Sequence, residues 1–404
     1  MTVDSVFIVL LSVAMVVAIV ARRFGFPYTV SLVVAGIALG ALHVVEPPHL
    51  TRELLFTIFL PGLLFEASYA LNWIAFRRHL IGILLLAVPG VIATIAITGA
   101  LTEVALSTLG LTVGFSMTLA FVFGAIVAAT DPVAVTALFR QMRVPVELAV
   151  LIEGESLVND GTSIVLLALI LGVVTGAPAS VPRLGASFML VAGGGVVVGV
   201  AIAWIITQAI RRIDDPMIEI TLTMIAAYGS FVVGERFHVS GVIATVAAGL
   251  LCGSYTRPVA MSETTRVAVS SFWEYIAFAL NSVVFLLIGF AVPLGDLARF
   301  WREIAIAYVA MTVARAGVVY LVDALSQRTT RAWPRGWSHI LLWGGLRGAL
   351  SMVLALSLPA SVPRRDLIVA MSVGVVVLSL LLQGTTMGAL LRVTRVAVAP
   401  ATPP

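Results

Sequence analysis

Apolar runs near twenty residues long recur along the whole chain, such as "LIGILLLAVPGVIATIAITGAL" at 80–101 and "LGASFMLVAGGGVVVGVAIAWIITQA" at 184–209. Such a run, coiled as a helix, crosses a hydrocarbon core of ~30 Å. Lipid offers no partner for backbone N–H and C=O groups, so only helices and closed barrels span it. The alternation of apolar and polar residues that marks a barrel strand is absent. Only 11% of residues are charged, against about 25% in soluble domains. The chain is expected to be an all-α polytopic membrane protein.

Spans are expected near 3–21, 27–45, 51–70, 80–101, 115–139, 149–174, 184–209, 217–235, 239–256, 269–292, 303–324, 337–358 and 366–391, about thirteen in all. All 24 basic residues are Arg, and the net charge is +4. The arginines fall in short loops as pairs such as Arg22–Arg23, Arg77–Arg78 and Arg211–Arg212, which orient helices and do not build a nucleic-acid face. Alternate loops and the C-terminal end hold fifteen arginines and the opposite loops seven, which predicts an outside N-terminus and a cytoplasmic C-terminus in the cell (plasma or inner) membrane. No cleavable leader is expected, because Asp4 occupies the would-be basic region. Residues 396–404 read as a short tail, with no soluble domain. Cys252 is alone, which rules out an internal disulfide.

Ionisable residues at membrane depth are costly and mark functional sites by default. Here they are Glu66, Asp131, Glu153, Glu155, Asp160, Arg315 and Arg347. In "ATDPVAV", Pro132 has no N–H, so the carbonyl of Ala128 loses its helical partner. Asp131 followed by Pro132 also makes a good helix start. The span reads as two half-helices with an unwound stretch at Thr130, or alternatively as a simple proline kink. "WGGLRGAL", with three glycines around Arg347, weakens a second span. These are the fifth and twelfth spans, and an odd offset of seven makes corresponding helices run in opposite directions. The expectation is one transport unit of inverted six-helix repeats, about 3–174 and 217–391, with 184–209 as linker and the two broken helices crossing.

In "EGESLVNDGTS", Ser156, Asn159, Asp160 and Ser163 share one helix face, with Glu153 a turn earlier and Glu155 turned toward Asn159 and Thr162. Ser and Asn often form hydrogen-bonded interhelical seams, but a seam has no need of Asp160. Glu66, Asp160 and the freed Thr130 carbonyl would make a hard-oxygen cluster suited to a bare monovalent cation. No His or Cys joins it, so no zinc, copper, haem or other cofactor is expected. Glu155 is the expected partner of Arg347, as a structural ion pair, and Glu274 or Asp323 that of Arg315. Gly193, Gly194, Gly195 and Gly199 make a smooth face, for helix packing or for a dimer contact.

"ATDPVAV", "EGESLVNDGTS" and "GGLRGALSMVLALSLP", in that order on about thirteen spans, resemble the monovalent cation/proton antiporter-1 family. That family includes bacterial NhaP-type sodium/proton antiporters and the animal sodium/proton exchangers. The resemblance implies a six-helix core domain, a dimerisation domain, a homodimer in the lipid bilayer and elevator-like alternating access exchanging Na+ (or Li+ or K+) for H+. By motif, it makes Asp160 the cation- and proton-binding carboxylate, with Ser156, Thr130 and Glu66 as further ligands. Asn159 and Asp131 become site organisers, Glu155–Arg347 a structural pair, and Arg315 has no assigned role. Two readings outside the family are a cation channel, which would want rings of ligands, and an intramembrane aspartyl protease, whose GxGD acid is missing.

Overall fold

Helix starts follow the polar residues that precede apolar runs. Ser116 accepts from the Leu119 N–H, Asp215 from Met217 and Ile218, and Ser240 from Ile243, each replacing a helical acceptor that a first turn lacks. In the computed structural model, residues 3–24, 28–42, 55–112, 114–176, 180–328 and 332–396 are described. They form α1 (Val3–Phe24), α2 (Tyr28–Ala41), α3 (Leu60–Ala70), α4 (Trp73–Ala87), α5 (Pro89–Thr108), α6 (Met117–Ala128), α7 (Val133–Met142) and α8 (Val146–Val174). Then come α9 (Val181–Ile210), α10 (Pro216–Arg236), α11 (Gly241–Leu251), α12 (Arg257–Ala260), α13 (Glu263–Phe290), α14 (Leu294–Arg299) and α15 (Trp301–Ser326). The last are α16 (Trp337–Gly344), α17 (Ala349–Leu356), α18 (Arg365–Leu378) and α19 (Gly384–Val393). Wide π-helical turns lead into α3 and join α11 to α12 and α18 to α19.

Among the described residues, ten helical stretches are long and apolar enough to cross a membrane, and three shorter apolar ones accompany them. The expected loop pair Arg77–Arg78 lies instead within α4, because Asn72 accepts the Ala75 N–H and starts that helix early. The residues of the expected tail beyond 396 lie outside the described residues.

The contacts divide the chain into two units, one within Met1–Pro48, His79–Ala177 and Phe285–Pro404, the other within His49–Arg78 and Pro178–Val284. In the second unit, Phe65, Tyr69, Ala226, Ala248, Cys252 and Trp273 share one core, and the Trp273 indole donates to Thr223 Oγ1. The glycine face of α9 belongs to this unit's interior. A methyl on Gly194 or Gly195 would meet Val239 or the Ser240 carbonyl, and one on Gly199 would collide with the Ala244 backbone. Those three glycines therefore form a packing seam, while Gly193 faces open space. In the first unit, Gly36 of α2 and Gly289 of α13 bring two backbones together, and Gly124 of α6 meets the Ile95 carbonyl of α5 in the same way.

Candidate functional site

The fifth span breaks between Ala128 and Val133, and the twelfth between Gly344 and Ala349. Both breaks belong to the first unit, and they lie against each other. The Asp131 N–H donates to the Leu346 carbonyl at 2.8 Å. Arg347 Nη1 donates to the carbonyls of Ala128, at 2.7 Å, and Ala129, at 3.1 Å. Ser351 Oγ donates to Ala129 as well. The Ala128 carbonyl that Pro132 deprives of its helical donor is thus satisfied by a side chain from the other broken helix. A kink would have kept one continuous helix, whereas here four residues leave it. Gly348 makes the crossing feasible, since a Cβ there would collide with the Asp131 carboxylate.

Four helix ends point into the crossing, and three charges answer them. Asp131 Oδ1 accepts the Val133 N–H at 3.0 Å and Oδ2 the Ala349 N–H at 3.3 Å, so one carboxylate caps two N-termini. Arg347 covers the C-terminal carbonyls of α6. Arg315, from α15, donates to the Leu341 carbonyl in the last turn of α16 at 3.2 Å. Each end carries roughly half an elementary charge, positive at N-termini and negative at C-termini, so every pairing has the favourable sign. The ring of Pro132 still precedes α7, which starts one residue later than expected.

The helix α8 packs its polar face on this crossing. Ser156 Oγ donates to the Thr130 carbonyl at 2.5 Å. Asn159 Nδ2 lies within hydrogen-bond distance of the Ala128 carbonyl (3.0 Å), Thr130 Oγ1 (3.2 Å) and Glu155 Oε1 (3.4 Å), and Asn159 Oδ1 accepts from Ser163 at 2.7 Å. Asn159 is therefore a bracket between α8 and the unwound stretch.

The partner of Glu155 is a correction. Its two oxygens accept from Arg315 Nη1 and Nη2, each at 2.7 Å, with both side chains almost fully buried. The expected pairing with Arg347 fails because Arg347 stands inside the unwound segment, where helix-end carbonyls and the Met311 sulfur surround its guanidinium. Arg315 stands on a continuous helix whose own carbonyls are already bonded, so its guanidinium turns to the Glu155 carboxylate and, more weakly, to the Leu341 carbonyl. Its pairing with Glu274 or Asp323 is likewise replaced. Sequence had marked Arg315 as an intramembrane charge, but the choice between acids depends on how far a third helix is rotated, which no local pattern encodes. Ser379, whose hydroxyl bonds both the N–H and the carbonyl of Arg347, went unnoticed, because one serine in an apolar run is common.

Asp160 differs from its acidic neighbours. Asp131 and Glu155 have donors on both oxygens, whereas Asp160 Oδ1 is buried with no hydrogen-bond partner among the described residues. Leaving such an atom unsatisfied costs about 1–3 kcal/mol, and more for a charged group. Among the described acids of the crossing, Asp160 is thus the one with an oxygen left open. Ser156 and Thr130, already bonded to each other, are in the same unit. Glu66 is on α3, in the other unit.

The family model for the transmembrane sodium/hydrogen exchanger matches residues 9–393. The chain belongs to the sodium/hydrogen exchanger family. It is 38% identical over 389 residues to a Na+/H+ antiporter of Aphanothece halophytica, ApNhaP, covering 94% of this chain and 73% of that one. With the Na+/H+ antiporter NhaP of Pseudomonas aeruginosa it shares 39% over 347 residues, 84% of this chain and 81% of the relative. The sodium proton antiporter MjNhaP1 of Methanocaldococcus jannaschii has the same fold, with a TM-score of 0.78 at 20% identity over 97% of this chain and 98% of that one. As a member of the sodium/hydrogen exchanger family, the chain is a membrane transporter and not an enzyme.

Proposed function

We propose that the chain exchanges Na+ for H+ across the cell membrane by alternating access, with Asp160 binding either the cation or the proton and never both. The observation that carries this reading is the buried, unpartnered Oδ1 of Asp160 beside a crossing in which both oxygens of Asp131 and of Glu155 hold hydrogen-bond donors. Burial disfavours the charged form of a carboxylate, and a nearby cation restores it, so the two ligands compete without any further device. Ser156 and Thr130 supply neutral oxygens for the cation, while Asp131, Pro132 and Asn159 hold the unwound stretch open. The arrangement of six-helix repeats related by inversion, a homodimer, an outside N-terminus and a cytoplasmic C-terminus complete the proposal. The membership in the exchanger family and the fifteen-to-seven arginine asymmetry support it.

The test is exchange in everted vesicles carrying the wild-type chain or Asp160→Asn, with Na+, Li+ and K+ offered separately. The variant is expected to insert and fold while losing exchange of every cation. Sodium-dependent proton movement retained in Asp160→Asn overturns the assignment, and a K+ response without a Na+ response replaces the cation.

A further inference from the structure

The second unit carries a cavity that the exchange reaction does not use. It measures about 440 Å³ and is formed by the turn after α9 and the segment running from α12 to α13. Two guanidinium groups, Arg211 and Arg212, line it against one carboxylate, Asp214. We propose that it binds a phosphate group, that of an anionic phospholipid headgroup. The proposal is independent of the exchange reading.

The cavity is preformed on both walls. Arg211 donates to the Tyr255 hydroxyl at 2.7 Å and lies over that ring at 5.5 Å. Tyr255 in turn stacks on Trp204, with ring centroids 5.8 Å apart. These bonds fix the guanidinium while leaving most of its five N–H donors uncommitted. Arg212 makes no side-chain hydrogen bond or ion pair among the described residues. On the opposite wall, Arg266 donates to the carbonyls of Met261 and Pro258, at 3.1 and 2.9 Å, and holds that segment in place. Planar guanidinium groups bind phosphate through paired, charge-assisted hydrogen bonds, and a cavity with two of them is matched to that anion.

The flanks favour lipid as the source of the phosphate. The cavity lies at the ends of the apolar helices α9 and α13, and the Trp204–Tyr255 pair is of the kind found at headgroup depth. Ile205, Val259 and Val267 are exposed by 66%, 55% and 64% and offer acyl chains an apolar surface beside the arginines. Basic pockets between membrane helices are recognised sites for anionic headgroups. Of the other acids nearby, Asp215 is committed to the first N–H groups of α10, and Glu219 is buried next to Asp214. Asp214 alone opposes the anion from the wall.

The experiment is thermal unfolding of the purified, delipidated chain in detergent, titrated with phosphatidylglycerol, with phosphatidylcholine or with inorganic phosphate. Phosphatidylglycerol is expected to raise the melting temperature saturably and phosphatidylcholine to do so far less. In Arg211→Gln/Arg212→Gln the half-saturating concentration should rise about thirtyfold, from about 1 kcal/mol per arginine near a surface. In Asp214→Asn it should fall about two- to fivefold, the worth of one exposed charge. Asp214→Asn gives an answer even where the double variant does not fold. An equal shift from inorganic phosphate with the same arginine dependence keeps the phosphate site and replaces lipid by free phosphate as its occupant. A phosphatidylglycerol shift that survives loss of both arginines, or that is unmoved in Asp214→Asn, overturns the proposal.

Discussion

The pairing of Glu155 with Arg315 can be tested against its rival by two double-mutant cycles. In the first, Glu155→Leu and Arg315→Met are made singly and together; in the second, Arg347→Met takes the place of Arg315→Met. Both partners of the observed pair are within 5% of full burial, and both bonds are 2.7 Å long. Removing either partner leaves an unpaired charge in a low-dielectric interior, at a cost of about 3–5 kcal/mol. Removing both leaves apolar groups of similar length and recovers much of that loss, so the coupling should reach about 2–3 kcal/mol. Arg347 hydrogen-bonds to carbonyls and not to Glu155, and the hydrogen-bonded route between them runs through Ala128 and Asn159. Its cycle with Glu155 should give well under half that coupling. The assay is equilibrium unfolding in mixed micelles, with expression level as a second readout. Equal coupling in the two cycles, or greater coupling with Arg347, would refute the assignment of the pair.

Exchange should be electroneutral, one Na+ for one H+. Asn159 is a non-titrating bracket and Asp131 a committed cap, so under the proposed function Asp160 is the charge that varies. A sodium-driven proton flux in proteoliposomes that changes steeply with a valinomycin-clamped potential would contradict this. Because proton and cation compete, lowering the pH should raise the half-maximal sodium concentration, by up to about tenfold per pH unit where the proton occupies the site; a pH change that alters only the maximal rate argues against competition. Gly348→Ala should cost about 1–3 kcal/mol and most of the activity through its collision with Asp131. Gly193→Ala, which meets nothing within 4 Å, should instead stabilise by about 0.4–1 kcal/mol, and both changes are read by detergent melting.

The parts of this site that were legible in the sequence are those governed by local covalent and helical geometry. A proline without an N–H must free a carbonyl four residues back, and Ala128 is where the crossing attaches. Helical periodicity put Ser156, Asn159 and Ser163 on one face, and all three bond as neighbours or with the unwound stretch. The odd offset between the two weakened spans anticipated that they would meet. What was not legible depends on the rotation and depth of helices distant in sequence. The partner of Glu155 is 160 residues away, and two arginines at similar depth were equivalent until their neighbours were known. The glycines of α9 posed the same problem: a smooth face is the same string of residues whether α11 or another surface covers it.

The crossing of the two broken helices also sets a timetable for synthesis and insertion. The carbonyls of Ala128 and Ala129 find their donor in Arg347, 219 residues from Ala128. At about 5–20 residues per second, the fifth span waits roughly 10–40 s in the bilayer before that donor is made. Glu155 waits similarly for Arg315, 160 residues away. Through this interval a carboxylate and open backbone groups stand in or beside hydrocarbon, where each lacks a partner. The nascent chain therefore depends on water, or on a protein host in the insertion machinery, to shelter its first half. A chain interrupted before Arg347 carries the exposed polar groups of an unfinished site and is a natural substrate for membrane quality control.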